Sequence, residues 1–175
     1  MRKIFIAFAL LLSGCGSTHV MTKEQVDAMF ERRYEGIKQE DVKKSAMNVL
    51  VLADGDDFKF SEFGDGFSAS HSSTLLPGQG TVWNFRVRED GGVVIAKLEA
   101  LSQNNYSSGR LAGGSALFDL FWQRLDYLVG KKSDWTTCDE QEAKKDKDPN
   151  LWGHIEALCF IEMKDMVPSP DLVRR

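Results

Sequence analysis

The chain is poor in the residues and motifs that usually mark a catalytic or metal site. Its three histidines, His19, His71 and His154, do not have the spacing of metal ligands. No serine lies in a G-x-S-x-G turn, and no glycine-rich phosphate loop follows a predicted strand. The sequence therefore predicts no catalytic residue, no metal site and no cofactor, although a catalytic triad assembled from distant positions would leave no such motif.

The chain also lacks a long apolar run and an excess of positive charge. The apolar run at residues 4–12 is far shorter than the roughly 20 residues that a membrane-spanning helix needs. The 22 basic side chains are outnumbered by 26 acidic ones, which argues against a nucleic-acid partner because phosphates attract cationic surfaces. What is present is ordinary globular material, 42% hydrophobic and 27% charged over 175 residues, and it is enough for one domain with a sizeable core.

The N-terminus has the arrangement of an export signal, in which two basic residues precede a short apolar run and small residues follow it. The arrangement ends with Leu12, Ser13, Gly14 and Cys15, and this motif resembles the lipobox of bacterial lipoproteins. In that family the chain is cut just before the cysteine, and the cysteine thiol is acylated. An ordinary signal peptide with an incidental cysteine is the alternative.

The resemblance also implies where the protein is located. It implies that residues 1–14 are a lipoprotein signal peptide. It also implies that Cys15 carries the lipid anchor, whose acyl chains include palmitate. Residues 15–21 would then be a short tether that holds the domain close to the membrane. Because Gly16 rather than an aspartate follows the cysteine, the resemblance implies the outer membrane. A domain that faces the periplasm is expected, and display on the cell surface is the alternative that Gly16 does not distinguish from it.

Hydrophobic periodicity predicts three main helices. The first begins at a capping box formed by Thr22 and Gln25, and the second covers residues 40–55. The third has a broad apolar stripe, takes Ser115 as its N-cap and ends at Gly130. An apolar stripe at this spacing is typical of a helix that covers a core.

Between the second and third helices, the apolar period changes from helical to alternating. Residues 58–63 and 66–72 flank a glycine-rich turn and predict a hairpin. Residues 81–88 and 93–101 predict two further strands, whereas residues 102–115 are rich in serine, asparagine and glycine and predict a long loop. We therefore expect an α+β fold with an antiparallel sheet of about four strands, packed by helices on one face.

The remaining two cysteines, Cys138 and Cys159, predict a disulfide near the C-terminus. An even pair in an exported domain is usually a structural bond, and closing a loop of about 22 residues stabilises a fold by about 3 kcal/mol. A redox-active or metal-binding pair is the alternative, although the C-x-x-C spacing is missing. The sequence thus predicts a single domain at residues 22–165 with a disulfide-stapled C-terminal appendage, followed by a loose tail at residues 166–175.

The clearest candidate for a recognition surface is the charge run enclosed by these two cysteines. A charge run is usually just a solvated face, and a partner-recognition loop is the more specific hypothesis. Its charged residues are Asp139, Glu140, Glu142, Lys144, Lys145, Asp146, Lys147 and Asp148. Two weaker hypotheses concern other residues. His71 is a candidate general base, although we expect it to be only a surface residue. Asp54, Asp56 and Asp57 are candidate ligands of a cation, although we expect them to form only a helix-ending turn.

Together these features predict a lipid-anchored envelope lipoprotein whose domain is a non-enzymatic protein-binding or assembly-accessory module. Its partners would be the membrane, through the lipid on Cys15, and an envelope protein. The alternative is a periplasmic ligand-binding protein or hydrolase, with a site between the sheet and the third helix near residues 102–114. A fold alone does not separate these two classes, because sites are grafted onto scaffolds.

Overall fold

The computed structural model describes residues 22–53, 58–72, 80–103 and 108–160. The predictions for the signal peptide, Cys15, the tether, the C-terminal tail and the aspartates Asp54, Asp56 and Asp57 lie outside these residues. Within them the fold is α+β, as predicted, and every strand pairing is antiparallel.

The described chain contains four α-helices, six strands and one 3₁₀ turn. In chain order they are α1 (Lys23–Phe30), β1 (Glu31–Glu35), α2 (Gln39–Ala53), β2 (Phe58–Phe63), β3 (Gly66–Ser72), β4 (Gly80–Asp90), β5 (Val93–Gln103), β6 (Ser108–Leu111), α3 (Ser115–Leu128), α4 (Cys138–Lys145) and the 3₁₀ turn Glu156–Leu158. The strands are arranged in the order β1-β5-β4-β3-β2, and β6 also pairs with β5.

The sheet is larger than the predicted sheet of about four strands, because β1 and β6 carry little sequence signal. β1 is a charged segment in which only Tyr34 is buried, so it shows no alternation of apolar residues. It becomes a strand because it pairs with Val93–Lys97 of β5, which is distant in sequence. β6 forms within the segment predicted as a long loop, by pairing with the end of β5.

One face of the sheet carries the core. Trp83, Phe85 and Val87 of β4 point to this face and are at most 1% exposed, whereas the alternate arginines of β4 are exposed, as the alternation predicts. Phe121 of α3 stacks on Trp83, with ring centroids 6.0 Å apart. The apolar stripe of α3 therefore covers the sheet, and buried aromatic rings fill this part of the interface between them.

Ser115 does not cap α3. Gly114 occupies the N-cap position, and the Ser115 hydroxyl donates to the Asn150 carbonyl (2.7 Å) and accepts from the Trp152 backbone N–H (3.1 Å). A Cβ atom at Gly114 would lie 2.1 Å from the Trp152 carbonyl oxygen. The prediction of a serine cap is wrong because the appendage docks against the start of the helix and binds this hydroxyl.

The charge run predicted as a loop is instead helical. Its N-terminal part is α4, which begins at a capping box in which Thr137 and Glu140 satisfy each other's backbone N–H groups. The predicted disulfide between Cys138 and Cys159 is present. The bond joins the first residue of α4 to the residue after the 3₁₀ turn, and so closes the appendage on itself.

Candidate functional site

The predicted recognition surface lies on α4 and the turn that follows it, and part of it is occupied by contacts within the domain. Gln141, in the middle of α4, is fully buried and donates to the Asp119 carboxylate on α3 (3.0 Å). Lys144 forms an ion pair with the same carboxylate (2.6 Å), and Lys145 forms one with Glu142. The two contacts to Asp119 join α4 to α3, whereas the ion pair between Lys145 and Glu142 lies within α4.

Of the other charged residues of this surface, some make contacts within the domain and others do not. Glu140 caps the helix, and Asp148 accepts from the backbone and side chain of Asn150. Asp139, Asp146 and Lys147 are exposed, and their side chains make no polar contact within the described residues. Only these three of the eight predicted residues remain fully available to a partner.

His71 is not a surface residue. It lies on the inner face of β3 with Phe67 and Ala69 and is only 7% exposed. Its ring stacks on Phe160, with centroids 4.5 Å apart, and lies 5.0 Å from Phe58. The prediction that His71 is a surface residue is wrong, because strand alternation directs its side chain, rather than those of its serine neighbours, toward the core.

The Tyr34 hydroxyl of β1 is buried, and the half-buried Asp126 of α3 lies near it. Burial and the neighbouring Asp126 carboxylate raise the pKa of Tyr34 far above its ordinary value. Burial also raises the pKa of Asp126, and the Tyr34 hydroxyl and the positive charges of Arg32, Lys131 and Lys132 oppose that rise. The two groups lie on elements that are distant in sequence, and the Tyr34 hydroxyl completes no hydrogen bond within the described residues.

The C-terminal appendage is held to α3 by a buried arginine. Arg124 is 4% exposed, and it donates from Nε to the Thr136 carbonyl (3.1 Å) and from Nη1 to the Leu158 carbonyl (2.8 Å). Its Nη2 donates to Sγ of Cys138 (3.3 Å), which is bonded to Cys159. Burial lowers the pKa of Arg124 to about 10, so the guanidinium remains charged at neutral pH.

A cleft of about 270 Å³ opens where α1, the first half of α3 and the appendage meet. We call it the α1–α3 cleft. It is lined by Gln25, Ala28, Met29, Arg32, Ser115, Asp119, Trp122, Asn150, Leu151 and Trp152. Sequence reasoning missed it because these residues come from three segments that only the tertiary structure brings together.

The floor of the α1–α3 cleft is apolar and fixed in place. Trp122 is 1% exposed, and its indole N–H donates to the Met29 carbonyl (2.9 Å), which ties α3 to α1. Arg32 donates to the Ala28 carbonyl (3.1 Å), and its guanidinium lies 5.8 Å from the centre of the Trp122 ring. The cleft therefore combines an apolar floor with a cation held at its edge.

The opposite wall carries Asp119, whose charge is already compensated by Lys144. The amide side chains of Gln25 and Asn150 lie at the rim and are exposed. Arg32 is thus the dominant charge of the α1–α3 cleft, and the rim offers hydrogen-bonding groups.

A second cleft, of about 360 Å³, lies between the start of α2 and the end of α3. It is lined by Gly36, Ile37, Lys38, Asp41, Lys44, Ser45, Leu128 and Val129. Its three charged side chains are exposed, so its walls are well solvated. The α1–α3 cleft, with its buried aromatic floor, is the better candidate for binding.

Comparisons with known proteins found no match. No protein-family model, no curated protein and no solved structure matches the chain. In the described ranges, no group of three or more histidine, cysteine or acidic side chains is arranged to hold a metal ion. Among the same residues, no helix is both long and apolar enough to cross a membrane.

Proposed function

We propose that the protein is a lipid-anchored lipoprotein of the outer membrane whose domain binds an envelope protein through the α1–α3 cleft. The anchor follows from the lipobox-like motif that ends at Cys15. The observation that carries the binding site is the cleft itself, in which a buried aromatic floor adjoins a charged and hydrogen-bonding rim. Apolar anchors surrounded by polar groups are typical of protein interfaces.

The position of the α1–α3 cleft supports a membrane-proximal partner. Its first wall is α1, which begins at Lys23, directly after its N-cap Thr22 and two residues after the end of the tether at residues 15–21. Residues 15–21 extend over roughly 25 Å at most, so a lipid on Cys15 would keep the start of α1, which forms one wall of the cleft, within about that distance of the bilayer. A partner that lies at or in the same membrane is therefore within reach.

The size and charge of the cleft favour a protein segment over a small ligand. Its volume of about 270 Å³ lies just below the roughly 300–1,000 Å³ that small-molecule sites occupy, which suits one anchoring side chain. Arg32 favours a carboxylate beside that anchor. The exposed residues Asp139, Asp146 and Lys147 on the neighbouring appendage would contact the partner outside the cleft.

The test is photocrosslinking in intact cells, with a photoreactive residue placed at Gln25 or Asn150 on the rim. A matched site at Lys59, which is exposed on β2 and lies outside the cleft, serves as the control. We expect one protein adduct from both rim positions, absent from the control and lost when Cys15→Ala removes the anchor. Mass spectrometry of the same protein measures acylation at Cys15.

A blocking variant tests the cleft without touching the core. Ala28→Trp would fill the cleft from an exposed position on α1, and Val26→Trp adds the same ring to α1 outside the cleft. We expect the adduct to disappear with Ala28→Trp and to persist with Val26→Trp. Equal adduct yields from the two variants, or adducts from Lys59 as strong as those from the rim, would contradict a partner site in the cleft.

A further inference from the structure

The two sulfurs of the disulfide lie in unequal electrostatic environments. Cys138 is the first residue of α4, where backbone N–H groups and the helix dipole favour negative charge. The buried Arg124 guanidinium donates to its Sγ at 3.3 Å. Among the described residues, the sulfur of Cys159 receives no hydrogen bond, and Cys159 follows a single 3₁₀ turn.

Within the described residues, Arg124 is a buried cation without an anionic partner. Its two other described hydrogen bonds go to uncharged backbone carbonyls, those of Thr136 and Leu158. Its guanidinium also lies 4.7 Å from the centre of the Trp135 ring, but no carboxylate in the described part of the chain pairs with it. A buried charge is costly until an opposite charge neutralises it. A thiolate at Cys138 would be that opposite charge, and its hydrogen bond to the guanidinium would be stronger than the one to the neutral disulfide.

The other charged groups near Cys138 are weaker influences. Lys132 binds the Thr136 hydroxyl on the segment that leads into α4, and its positive charge acts in the same direction as Arg124. Asp139 and Glu140 in the first turn of α4 oppose a thiolate, but both are exposed and therefore screened by solvent. The buried guanidinium is consequently the dominant charge at this sulfur.

We propose that the Cys138–Cys159 disulfide is a thiol–disulfide exchange site, which a dithiol reductant opens by attack on Cys159 while Cys138 leaves as a thiolate. Both cysteines are only half-buried, so a reductant has access. The attacking thiolate forms a new S–S bond with Cys159 as the original S–S bond breaks, and the electron pair of that bond goes to Sγ of Cys138.

The second thiol of the reductant then loses its proton and attacks the reductant's first sulfur in this mixed disulfide. The bond to Cys159 breaks, and the Cys159 sulfur takes up a proton and leaves as a thiol. The protein disulfide is reduced by two electrons, and the dithiol is oxidised to its disulfide. Departure is faster for the sulfur whose thiol has the lower pKa, which selects Cys138 as the leaving group. The loop closed by the disulfide contains Asn150 and Leu151, which line the α1–α3 cleft, so reduction of the disulfide would loosen this wall of the cleft. An effect on partner binding rests on the proposed function, whereas the exchange reaction does not.

The first test maps the sulfur that is attacked, in the folded Cys15→Ala chain with both other cysteines intact. Glutathione is added, free thiols are trapped by rapid alkylation, and peptides are analysed by mass spectrometry. We expect glutathione on Cys159 and the alkyl group on Cys138, with an excess of about threefold over the reverse pattern, which corresponds to about one unit of difference between the thiol pKa values at a Brønsted coefficient of about 0.5. Equal labelling, the reverse pattern, or no adduct would overturn the proposal.

The second test uses two mirror-image variants. Cys159→Ser leaves only the Cys138 thiol in the folded domain, and Cys138→Ser leaves only the Cys159 thiol. We expect the alkylation rate of Cys138 to reach half its maximum below about pH 7.5, and that of Cys159 to do so near pH 8.5, the ordinary value for a thiol. Coincident midpoints would overturn the proposal, whether or not a partner protein binds the cleft.

Discussion

Arg124 offers the sharpest test of how the appendage is held to the domain. Arg124→Met keeps most of the apolar stem but removes the three hydrogen bonds to Thr136, Leu158 and Cys138. Two carbonyl acceptors would then be left without this donor in a buried site. A buried polar group without its partner costs about 1–3 kcal/mol.

Two such carbonyls set an upper limit of roughly 6 kcal/mol on the destabilisation. Replacing the buried charge with an apolar side chain offsets part of this destabilisation, because the guanidinium no longer has to be desolvated on folding. We therefore expect the free energy of unfolding to fall by about 2–4 kcal/mol.

The measurement is urea-induced unfolding of the oxidised chain, followed by circular dichroism at neutral pH. Arg86→Met is the matched control, because Arg86 is 62% exposed in its ion pair with Asp65, and exposed pairs contribute at most about 1 kcal/mol. If Arg124→Met cost no more than Arg86→Met, the buried guanidinium would not be what holds the appendage to α3.

Three further predictions concern the disulfide, the half-buried carboxyl group of Asp126 and a close backbone contact. Replacing Cys138 and Cys159 by alanine should lower the free energy of unfolding by about 3 kcal/mol in denaturant titrations; the reduced native chain should lose less, because the Cys138 thiolate is stabilised. The pKa of Asp126 is raised in the folded state, so the folded protein binds this proton more tightly than the unfolded chain does. The free energy of unfolding of the native chain, relative to that of Asp126→Asn, should therefore fall as pH rises from about 4 through the raised pKa. A difference that stays constant or grows would contradict this. Gly114→Ala should cost about 2 kcal/mol or more in thermal unfolding, because its Cβ would lie 2.1 Å from a carbonyl oxygen, whereas Gly64→Ala meets nothing within 4 Å and should have little effect.

The parts of the fold that were predictable are those whose signal is local. The alternation of β4 and β5 and the apolar stripe of α3 follow from which residues can be buried on one side of a strand or helix. The capping box at Thr22 and Gln25 is confirmed for the same reason, since both partners lie within one turn. The capping box at Thr137 and Glu140 carried the same signal and would have identified α4 as a helix.

The parts that were not predictable depend on distant pairing. β1 has almost no apolar residues and becomes a strand only because β5 offers it backbone partners. Ser115 has the usual chemistry of an N-cap, but its hydroxyl is bound by the appendage, 35 and 37 residues further along the chain. A local rule was overridden in each case by a contact that the local sequence does not contain.

The sequence by itself determined the α+β class, the burial pattern of the central strands and α3, and the pairing of the last two cysteines, because each depends on residue type and short spacing. The tertiary structure alone decided where the candidate sites lie. The α1–α3 cleft depends on the contact between Trp122 and Met29, which are 93 residues apart. The two sulfurs are unequal because, among the described residues, a buried arginine on α3 donates a hydrogen bond to the sulfur of Cys138 and none is donated to that of Cys159. Such sites depend on which surfaces meet when the core forms, and the core forms from residues far apart in the chain.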